Sequence, residues 1–563
     1  MRGLTISTFE WISLAVLALC AWIFPRLGDR FFRQCENAFG RFARRKKLVI
    51  FLAAVTPILL RLTLLPVLAI PAPSIADEFS YLLAANTFAH GRLTNPPHPM
   101  WLSFETFHVN MHPTYASKYP PAQGMVLAVG QLLGHPWLGV LLSVGAMCAV
   151  ICWMLQAWFP PGWALLGSLL VIIRFGSFSY WINSYWGGAV AGLGGALALG
   201  ALPLIRRTQR VRYAVLLGIG MAILANSRPF EGLVFSIPIF IWLLWWLLRN
   251  KDVPVQAKLR KIVLPLSIVL ALAGIWIGYY NWRVTGNPLL FPYVLNQRTY
   301  DTEPVFLWQS AQPKHAYNNP QLDLFYNTWT RSQYHRSWPD MERVSISKFT
   351  TFAGTFLGPF CILPAFMLPW VLLHRKSRIF LAVFAVTWLG LLSVVWWLGH
   401  YAAPLTGVTF ALIVQSMRHL RQLRFDTRPV GLAWLRVSVL MLFITFGAAF
   451  VQEMQQPYSW IFGFGPGNIE RGSILKNQQS QPGKQLAIVR YGHPHDVHEE
   501  WVYNDADIDS AKVVWARELN NQQDEKLISY FKDRHVWLVE ADHSPAELKP
   551  YTAPTLVTNA NTQ

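Results

Sequence analysis

At 563 residues, with 53% hydrophobic and only 14% charged residues, the chain differs from soluble globular proteins, in which about a quarter of residues are charged. A formal net charge of +19 would suit a nucleic-acid partner, but Lys and Arg fall in short runs between apolar segments. The composition therefore excludes an ordinary soluble protein, gives no support to nucleic-acid binding, and predicts an integral protein of the lipid bilayer.

Apolar runs of roughly 17–25 residues, the length that crosses a bilayer, recur along most of the chain. They predict a polytopic, mainly α-helical membrane bundle of about twelve spans. The predicted spans are 9–25, 48–70, 136–158, 161–177, 187–205, 212–226, 230–249, 262–282, 350–373, 379–398, 402–417 and 433–452.

The basic runs between these spans predict their orientation. Residues 26–47 and the arginine-rich connections near 206, 249, 375 and 418 occupy alternate connections. Because cytoplasmic loops carry the excess of Lys and Arg, these connections are predicted to be cytoplasmic. The loops 71–135 and 283–349 and the tail are then outside, as expected for a multi-pass protein of the plasma (inner) membrane with an extracytoplasmic C-terminal domain.

Three parts are predicted along the chain. Residues 1–47 form an N-terminal helix and a basic cytoplasmic loop, and 48–452 form the main membrane domain. The segment 119–135 is short and broken by glycine, so it is predicted to lie in the outer interface rather than to span. The tail, 453–563, is predicted to be a small α/β domain with a partly parallel sheet. Its predicted elements are strands at 485–491, 512–517 and 535–540 and a helix at 521–532.

Two adjacent carboxylates, Asp77 and Glu78, follow the second predicted span. A carboxylate near the headgroup layer is costly unless it is paired or solvated, so one reading is a general base that faces a cavity. The alternative is an interfacial helix cap, with Ser74 or Asp77 capping a helix over 78–90.

Further along the same loop, Lys118 precedes Tyr119, Pro120 and Pro121, just before the interfacial segment. A lysine held there by two prolines suits a phosphate contact. The alternative is a snorkelling lysine at a helix start.

This arrangement resembles the GT-C superfamily of membrane glycosyltransferases, especially protein O-mannosyltransferases and the lipid A aminoarabinose and galacturonosyl transferases. The resemblance rests on Asp77-Glu78 early in a large outer loop, the Lys118-Tyr-Pro-Pro element, the later spans and the C-terminal soluble domain. It implies a GT-C-like catalytic domain over 48–452 and transfer of a sugar from a polyprenyl-phosphate donor to an extracytoplasmic glycan, lipid or protein, with inversion.

The resemblance also implies roles for single residues. Asp77 would deprotonate the acceptor hydroxyl, with Glu78 as a supporting or alternative base. Lys118 would bind the donor phosphate, although Tyr119 departs from a strict Lys-Pro-Pro spacing. Phosphate is a good leaving group, so positive charge rather than a general acid is needed. Further candidates for contacts to the donor phosphate or sugar lie at predicted outer helix ends: Arg228, Glu231, Arg283, His400 and Tyr401. The alternative for each is a capped helix end, and Arg228 and His400 are favoured over Arg283.

No cofactor is indicated, and a divalent cation remains open. The residues from His493 to Glu500 are rich in histidine and carboxylate, but their spacing fits no standard zinc pattern. Two other classes of function also remain open. One is a transporter or flippase for lipid-linked saccharides, which would favour inverted repeats and charges at the membrane midplane. The other is an assembly factor whose tail binds a partner.

Overall fold

The computed structural model describes residues 8–334, 337–457 and 467–551. The helices of the first half are α1 Thr8–Ile23, α2 Asp29–Ala43, α3 Lys46–Thr63, α4 Ala76–Ala89, α5 Pro121–Leu132, α6 Pro136–Trp158, α7 Pro161–Phe175, α8 Ala189–Thr208, α9 Val211–Ser227, α10 Pro229–Arg249, α11 Val255–Lys258 and α12 Leu264–Thr285. A π-helical turn, Leu259–Val263, joins α11 to α12.

The second half continues the bundle and then changes character. Its helices are α13 Pro292–Tyr300, α14 Pro320–Leu322, α15 Trp338–Phe356, α16 Ile362–Ala365, α17 Leu368–Leu373, α18 Arg378–Ser393, α19 Thr406–Leu420, α20 Val430–Gln455, α21 Ile469–Ser480 and α22 Asn521–Tyr530. The strands are β1 Val109–Asn110, β2 Ala116–Ser117, β3 Lys484–Arg490, β4 Val513–Arg517, β5 Arg534–Glu540 and β6 Glu547–Pro550.

Six helices in the described part of the chain are long and apolar enough to cross a membrane. They are α6, α8, α10, Val255–Thr285, Arg375–Ser393 and α20. The count becomes seven if α15 and Pro359–Ala365, which meet at an angle of 97°, are taken together as one broken span. The apolar helices α1, α7 and α9 are shorter. The polytopic helical bundle is thus confirmed, whereas the predicted count of about twelve spans is not established.

Two predicted segments differ from the observed structure. The basic run at 26–47, predicted to be a loop, contains the helix α2, which Arg436 of α20 holds through Asp29 (2.5 Å) and Glu36 (2.9 Å). The predicted span 350–373 is instead part of a bent element. Its first helix, α15, begins earlier, at Trp338, and the chain bends where that helix breaks at Gly358-Pro359. A proline supplies no backbone N–H to continue the helix there.

Close backbone contacts hold the bundle together where small residues meet. A Cβ on Gly194 of α8 would lie 2.9 Å from the carbonyl oxygen of Gly220 on α9. One on Gly130 of α5 would lie only 2.3 Å from the backbone nitrogen of Gly139 on α6. Small residues allow helices to pack closely in lipid, so α5 is fixed against the bundle although it is too short to span.

The helix ends of the bundle differ in charge. We call the end that meets the loop 71–135 the loop end, and the end that carries Arg206, Arg249 and Arg418 the basic end. The tail lies at the loop end, since Phe79 of α4 contacts Tyr503.

The tail folds around a four-stranded sheet of order β4-β3-β5-β6. Strand β3 pairs in parallel with both β4 and β5, and β6 pairs antiparallel with β5. The helix α22 connects β4 to β5, as a parallel crossover requires. The predicted strands, helix and partly parallel sheet are all observed.

Candidate active site

Asp77 lies in the first turn of α4, in contact with Tyr119 and His108. The Tyr119 hydroxyl donates a hydrogen bond to Asp77 Oδ1. His108 Nδ1 lies 3.5 Å from Asp77 Oδ2 and 3.2 Å from the Tyr119 oxygen. The Tyr119 hydroxyl uses its hydrogen in the bond to Asp77, so its oxygen can only accept a hydrogen bond from His108. These contacts therefore assign a proton to His108 Nδ1.

Electrostatics keep the Asp77 carboxyl ionised. Burial acts to raise its pKa, but His108, the Lys118 charge and the Tyr119 hydrogen bond hold the pKa well below its usual range. Burial and the Lys118 charge lower the pKa of His108, while the charge of Asp77 and its hydrogen bond to the ring oppose that shift. Asp77 is therefore a carboxylate at neutral pH and can accept a proton.

Glu78 has a different environment, although it is adjacent. Its Oε2 accepts hydrogen bonds from the backbone N–H groups of Ser74 (2.8 Å) and Ile75 (3.4 Å), and Oε1 accepts one from Tyr185 (2.9 Å). Burial raises the pKa of Glu78 to about 7, and the three backbone donors act in the opposite direction. The predicted cap of this helix is thus provided by Glu78, rather than by Ser74 or Asp77.

Lys118 is carried to the site by the short β1–β2 hairpin. The backbone N–H of Lys118 bonds to His108 O (3.2 Å), and the hydroxyl of the preceding Ser117 lies 2.7 Å from that of Ser80 on α4. The Lys118 side chain is buried, with Nζ 5.5 Å from the ring centroids of both Tyr119 and Tyr293. Burial lowers the pKa of Lys118, while neighbouring carboxylates act to raise it.

Arg228 approaches from the turn between α9 and α10. Its guanidinium lies over the Tyr401 ring, 4.2 Å from the centroid, and 4.0 Å from a carboxylate oxygen of Glu231. The adjacent His400 is buried, with Nδ1 3.0 Å from the Tyr180 hydroxyl. The stacking on Tyr401 and the ion pair with Glu231 hold the Arg228 side chain in place. A guanidinium has five N–H donors, so others remain available to an anion.

These groups form one site, which we call the Asp77 cluster: Asp77, His108, Lys118, Tyr119, Arg228, His400 and Tyr401. Tyr81 joins its two halves, because its ring stacks on Tyr119 at 4.4 Å between centroids and interacts electrostatically with both Asp77 and Arg228. His400 likewise lies within electrostatic range of Asp77 and Arg228. Of the residues predicted for the site, the structure thus brings together Asp77, Lys118, Arg228, Glu231, His400 and Tyr401.

Glu78 caps α4 instead of joining this cluster, and Arg283 also lies outside it. Arg283 is exposed near the end of α12, where its Nη1 lies 3.3 Å from the Tyr279 hydroxyl one helical turn earlier. Its position in the sequence placed it at the correct end of the bundle. Its side chain, however, is exposed on α12.

The structure adds a second acidic element that the sequence did not single out. Asp301 and Glu303 follow α13 and interact electrostatically with Lys118. Burial raises the pKa of Asp301, with Lys118 opposing and Glu303 reinforcing that shift. Tyr81 and Tyr293 were also missed as site residues, and His108 was noted in the first outer loop without an assigned role. Their only signal is their position in the two outer loops, among many other aromatic and polar residues.

Groups that could bind a metal are few among the described residues. The one set of three whose ligand atoms lie within 4.8 Å is Glu540, His543 and Glu547, at the tail surface. Lys549 already pairs with both of those carboxylates. In the predicted histidine-rich segment, His495 is hydrogen-bonded to Asp542 at 2.8 Å. Among the described residues, Asp77 belongs to no such set.

The tail packs on α4 beside the site. Phe79 stacks on Tyr503, and the Arg471 guanidinium lies between the rings of Phe79 and Trp515, 4.7 Å from each centroid. Arg471 also donates to the carbonyl oxygens of Trp501 (2.9 Å) and Tyr503 (2.8 Å). Buried residues of α4, the first outer loop and the tail sheet thus share one hydrophobic core.

Comparison with known proteins gives a likeness of structure alone. No protein-family model and no curated protein matches the sequence. An oligosaccharyltransferase of Archaeoglobus fulgidus is similar at TM-score 0.46 and 11% identity, over 88% of this chain and 69% of that one. ArnT of Cupriavidus metallidurans is similar at TM-score 0.46 and 13% identity, over 88% and 93%.

A second ArnT structure, bound to undecaprenyl phosphate, aligns at TM-score 0.47 and 12% identity, over 89% of this chain and 92% of that one. These alignments report a likeness of structure alone. At these scores it carries no assignment of substrate or of catalytic residues to this chain.

Proposed function

We propose that this chain is an inverting membrane glycosyltransferase that moves a sugar from a polyprenyl-phosphate donor to an extracytoplasmic acceptor. The observation that carries the proposal is the Asp77 cluster, in which an ionised, largely buried carboxylate lies beside the cations Lys118 and Arg228. Removing charges from water is costly, so a buried set of this kind outside the helical core points to chemistry rather than to stability.

The proposed reaction is a single displacement. Asp77 accepts the proton of the acceptor hydroxyl as its oxygen attacks the anomeric carbon from the face opposite the phosphate. The bond between that carbon and the phosphate oxygen breaks, and its electron pair leaves with the polyprenyl phosphate. Lys118 and Arg228 stabilise the negative charge that develops there. One displacement inverts the anomeric configuration.

A lipid-linked donor fits the surroundings of Lys118. The helix α5 begins three residues later, and it carries exposed apolar side chains at Val129, Leu132 and Leu133, which are 50%, 71% and 60% exposed. An apolar helix face in the membrane interface can contact a polyprenyl chain. The donor phosphate would then lie near Lys118, while its lipid remains in the bilayer.

The acceptor would enter from the loop end. There, residues 292–330 pack against the first outer loop, for example through Tyr300, whose hydroxyl donates to Glu105 (3.0 Å). We propose that this second loop shapes the acceptor side of the site. The domain division proposed from the sequence, with the tail on the extracytoplasmic side, places the acceptor outside the cytoplasm.

A transporter has less support. Transport sites usually place charged residues at the membrane midplane, facing a cavity. In this chain, buried cations of the helical core are bound to the protein itself. Arg61 donates to Asn183 (2.6 Å) and to Leu68 O (2.9 Å), and Lys348 donates to Leu391 O (3.1 Å).

The test is sugar transfer by purified protein in proteoliposomes, with polyprenyl-phosphate sugars as donors and cell-envelope extracts as acceptors. Asp77→Asn keeps the size and one hydrogen-bond acceptor of the side chain but removes the base. We expect transfer to fall by about 10²–10⁴-fold, with thermal unfolding unchanged. Full transfer by this variant would refute the role of Asp77. Movement of the donor across the bilayer without transfer would favour the transporter.

A further inference from the structure

A pocket of about 400 Å³ opens at the basic end of the bundle, away from the Asp77 cluster. We call it the basic pocket. Four cations line it: Arg206 and Arg207 at the end of α8, Lys376 just before α18, and Arg418 at the end of α19. Three separate parts of the chain thus bring positive charge to one cavity.

No carboxylate balances this charge. The lining contains no Asp or Glu, and among the described residues none of the four cations forms an ion pair. Arg207 donates to Ala157 O (2.9 Å) and Arg418 to Gln415 Oε1 (3.0 Å), which leaves further N–H groups on both guanidinium groups. Burial and the charges of Arg418 and Lys376 lower the pKa of nearby His374.

Capping of helix ends explains only part of this set. Basic residues favour helix C-termini, and Arg207 meets that expectation through its bond to a carbonyl of α6. Lys376 does not, because it precedes the N-terminus of α18, where the helix dipole disfavours positive charge. A bound anion would compensate both Lys376 and that helix end.

Aromatic side chains form the other wall of the pocket. Arg206 lies over the Trp242 ring at 4.6 Å from the centroid, and Trp246 is almost fully buried beside it. On the outward face of α10, Leu244, Trp245 and Leu248 are 56%, 52% and 75% exposed. Tryptophans at the level of the headgroups and apolar residues along the helix are typical of a surface in contact with lipid.

We propose that the basic pocket binds the phosphate headgroup of an anionic phospholipid, whose acyl chains lie along the exposed face of α10. Basic pockets between membrane helices recognise such headgroups through their charge. A free phosphate would use the cations alone, whereas a phospholipid also uses the adjoining apolar face. This site is independent of the proposed sugar transfer, since it lies at the opposite end of the bundle.

The test measures lipid retention by the full chain. The protein is placed in phosphatidylcholine nanodiscs containing a small fraction of phosphatidylglycerol, and bound lipid is then counted by native mass spectrometry. We expect about one phosphatidylglycerol to be retained per chain, and retention to fall at least about tenfold in Arg206→Gln/Lys376→Gln/Arg418→Gln. The control Arg298→Gln/Lys314→Gln/Lys476→Gln removes the same charge at exposed positions of the loop end and tail.

Two outcomes would overturn the proposal. One is equal retention by wild type and the pocket variant. The other is displacement of phosphatidylglycerol by inorganic phosphate or glycerol phosphate at concentrations that leave bound phosphatidylcholine unaffected, which would indicate a site for free anions. Thermal unfolding in pure phosphatidylcholine checks that the triple variant folds. Lys376→Gln alone, which removes one exposed side chain, must still weaken retention measurably.

Discussion

Phe79 and Tyr503 stack with their ring centroids 4.2 Å apart and their planes only 4° from parallel. Phe79 lies two residues after Asp77, on another side of the same helix. The tail therefore supports α4 directly behind the proposed base. Stacked aromatic pairs of this kind contribute about 0.5–1.5 kcal/mol beyond the area they bury, so we expect the tail to help position α4.

Tyr503→Leu tests this support. Losing the stack should let α4 shift, so we expect kcat for sugar transfer to fall about tenfold with little change in donor KM. Tyr530→Leu removes a tail tyrosine that is 40% exposed and serves as the matched control. Equal activity of the two variants would argue against a positioning role for the tail.

Tyr119→Phe removes the hydroxyl that donates to Asp77 but keeps the ring that stacks on Tyr81. This hydrogen bond contributes to the lowered pKa of Asp77, so its loss should raise that pKa. We expect transfer to fall by about 10–100-fold and the acid limb of the pH–rate profile to move to higher pH. An unchanged acid limb would mean that Asp77 ionisation does not control the rate.

Glu78→Ala should act through stability. It leaves three backbone N–H groups without their acceptor, at a cost of roughly 1–3 kcal/mol for each buried group that finds no water. Glu78→Gln retains one carbonyl oxygen and should unfold at a temperature nearer to wild type. If Glu78 is only a cap, transfer per folded molecule by Glu78→Gln stays near wild type. A loss of transfer without a loss of stability would instead support a role as base.

Lys118→Arg tests the phosphate contact through pH. The pKa of Lys118 lies below the ordinary 10.5, so its charge is lost at a lower pH than for an exposed lysine. If that charge stabilises the leaving phosphate, activity falls on the alkaline side as Lys118 deprotonates. Arginine stays charged, so the alkaline limb should move upward in the variant, even if the maximum rate is reduced. A limb that does not move would assign it to another group.

Arg228→Gln and Arg283→Gln form a matched pair at the same end of the bundle. Arg228 lies in the Asp77 cluster, whereas Arg283 is exposed on α12. We expect kcat/KM for the donor to fall about 10²-fold or more in the first and to change less than about twofold in the second. Equal losses would move the phosphate site toward α12.

Long apolar runs made the bundle predictable. The span predicted at 136–158 is observed as Pro136–Trp158, because an apolar run of bilayer length is bounded by prolines on both sides. The helix α2 was missed because phenylalanines alternate with charges over only 15 residues, so no run of bilayer length exists. Its structure depends on contacts such as that with Arg436, which are distant in sequence.

The site was predictable in part for a similar reason. Asp77 and Lys118 stand out beside apolar segments, where an ionisable residue is costly. The partners of Asp77 could not be predicted, since the bond from Tyr119 joins positions 42 residues apart across an irregular loop. Arg283 was included as a weaker candidate than Arg228 and His400, because the sequence gives the end of a helix but not the direction in which one side chain faces.

The core shared by α4 and the tail also constrains how the protein is made. Ala506 donates its backbone N–H to Asn86, 420 positions earlier in the chain. The helix that carries Asp77 can acquire its native support only after the intervening spans have been inserted and the last strands synthesised. During biogenesis the site would therefore mature late, and a chain interrupted before its tail would carry Asp77 on an unsupported helix.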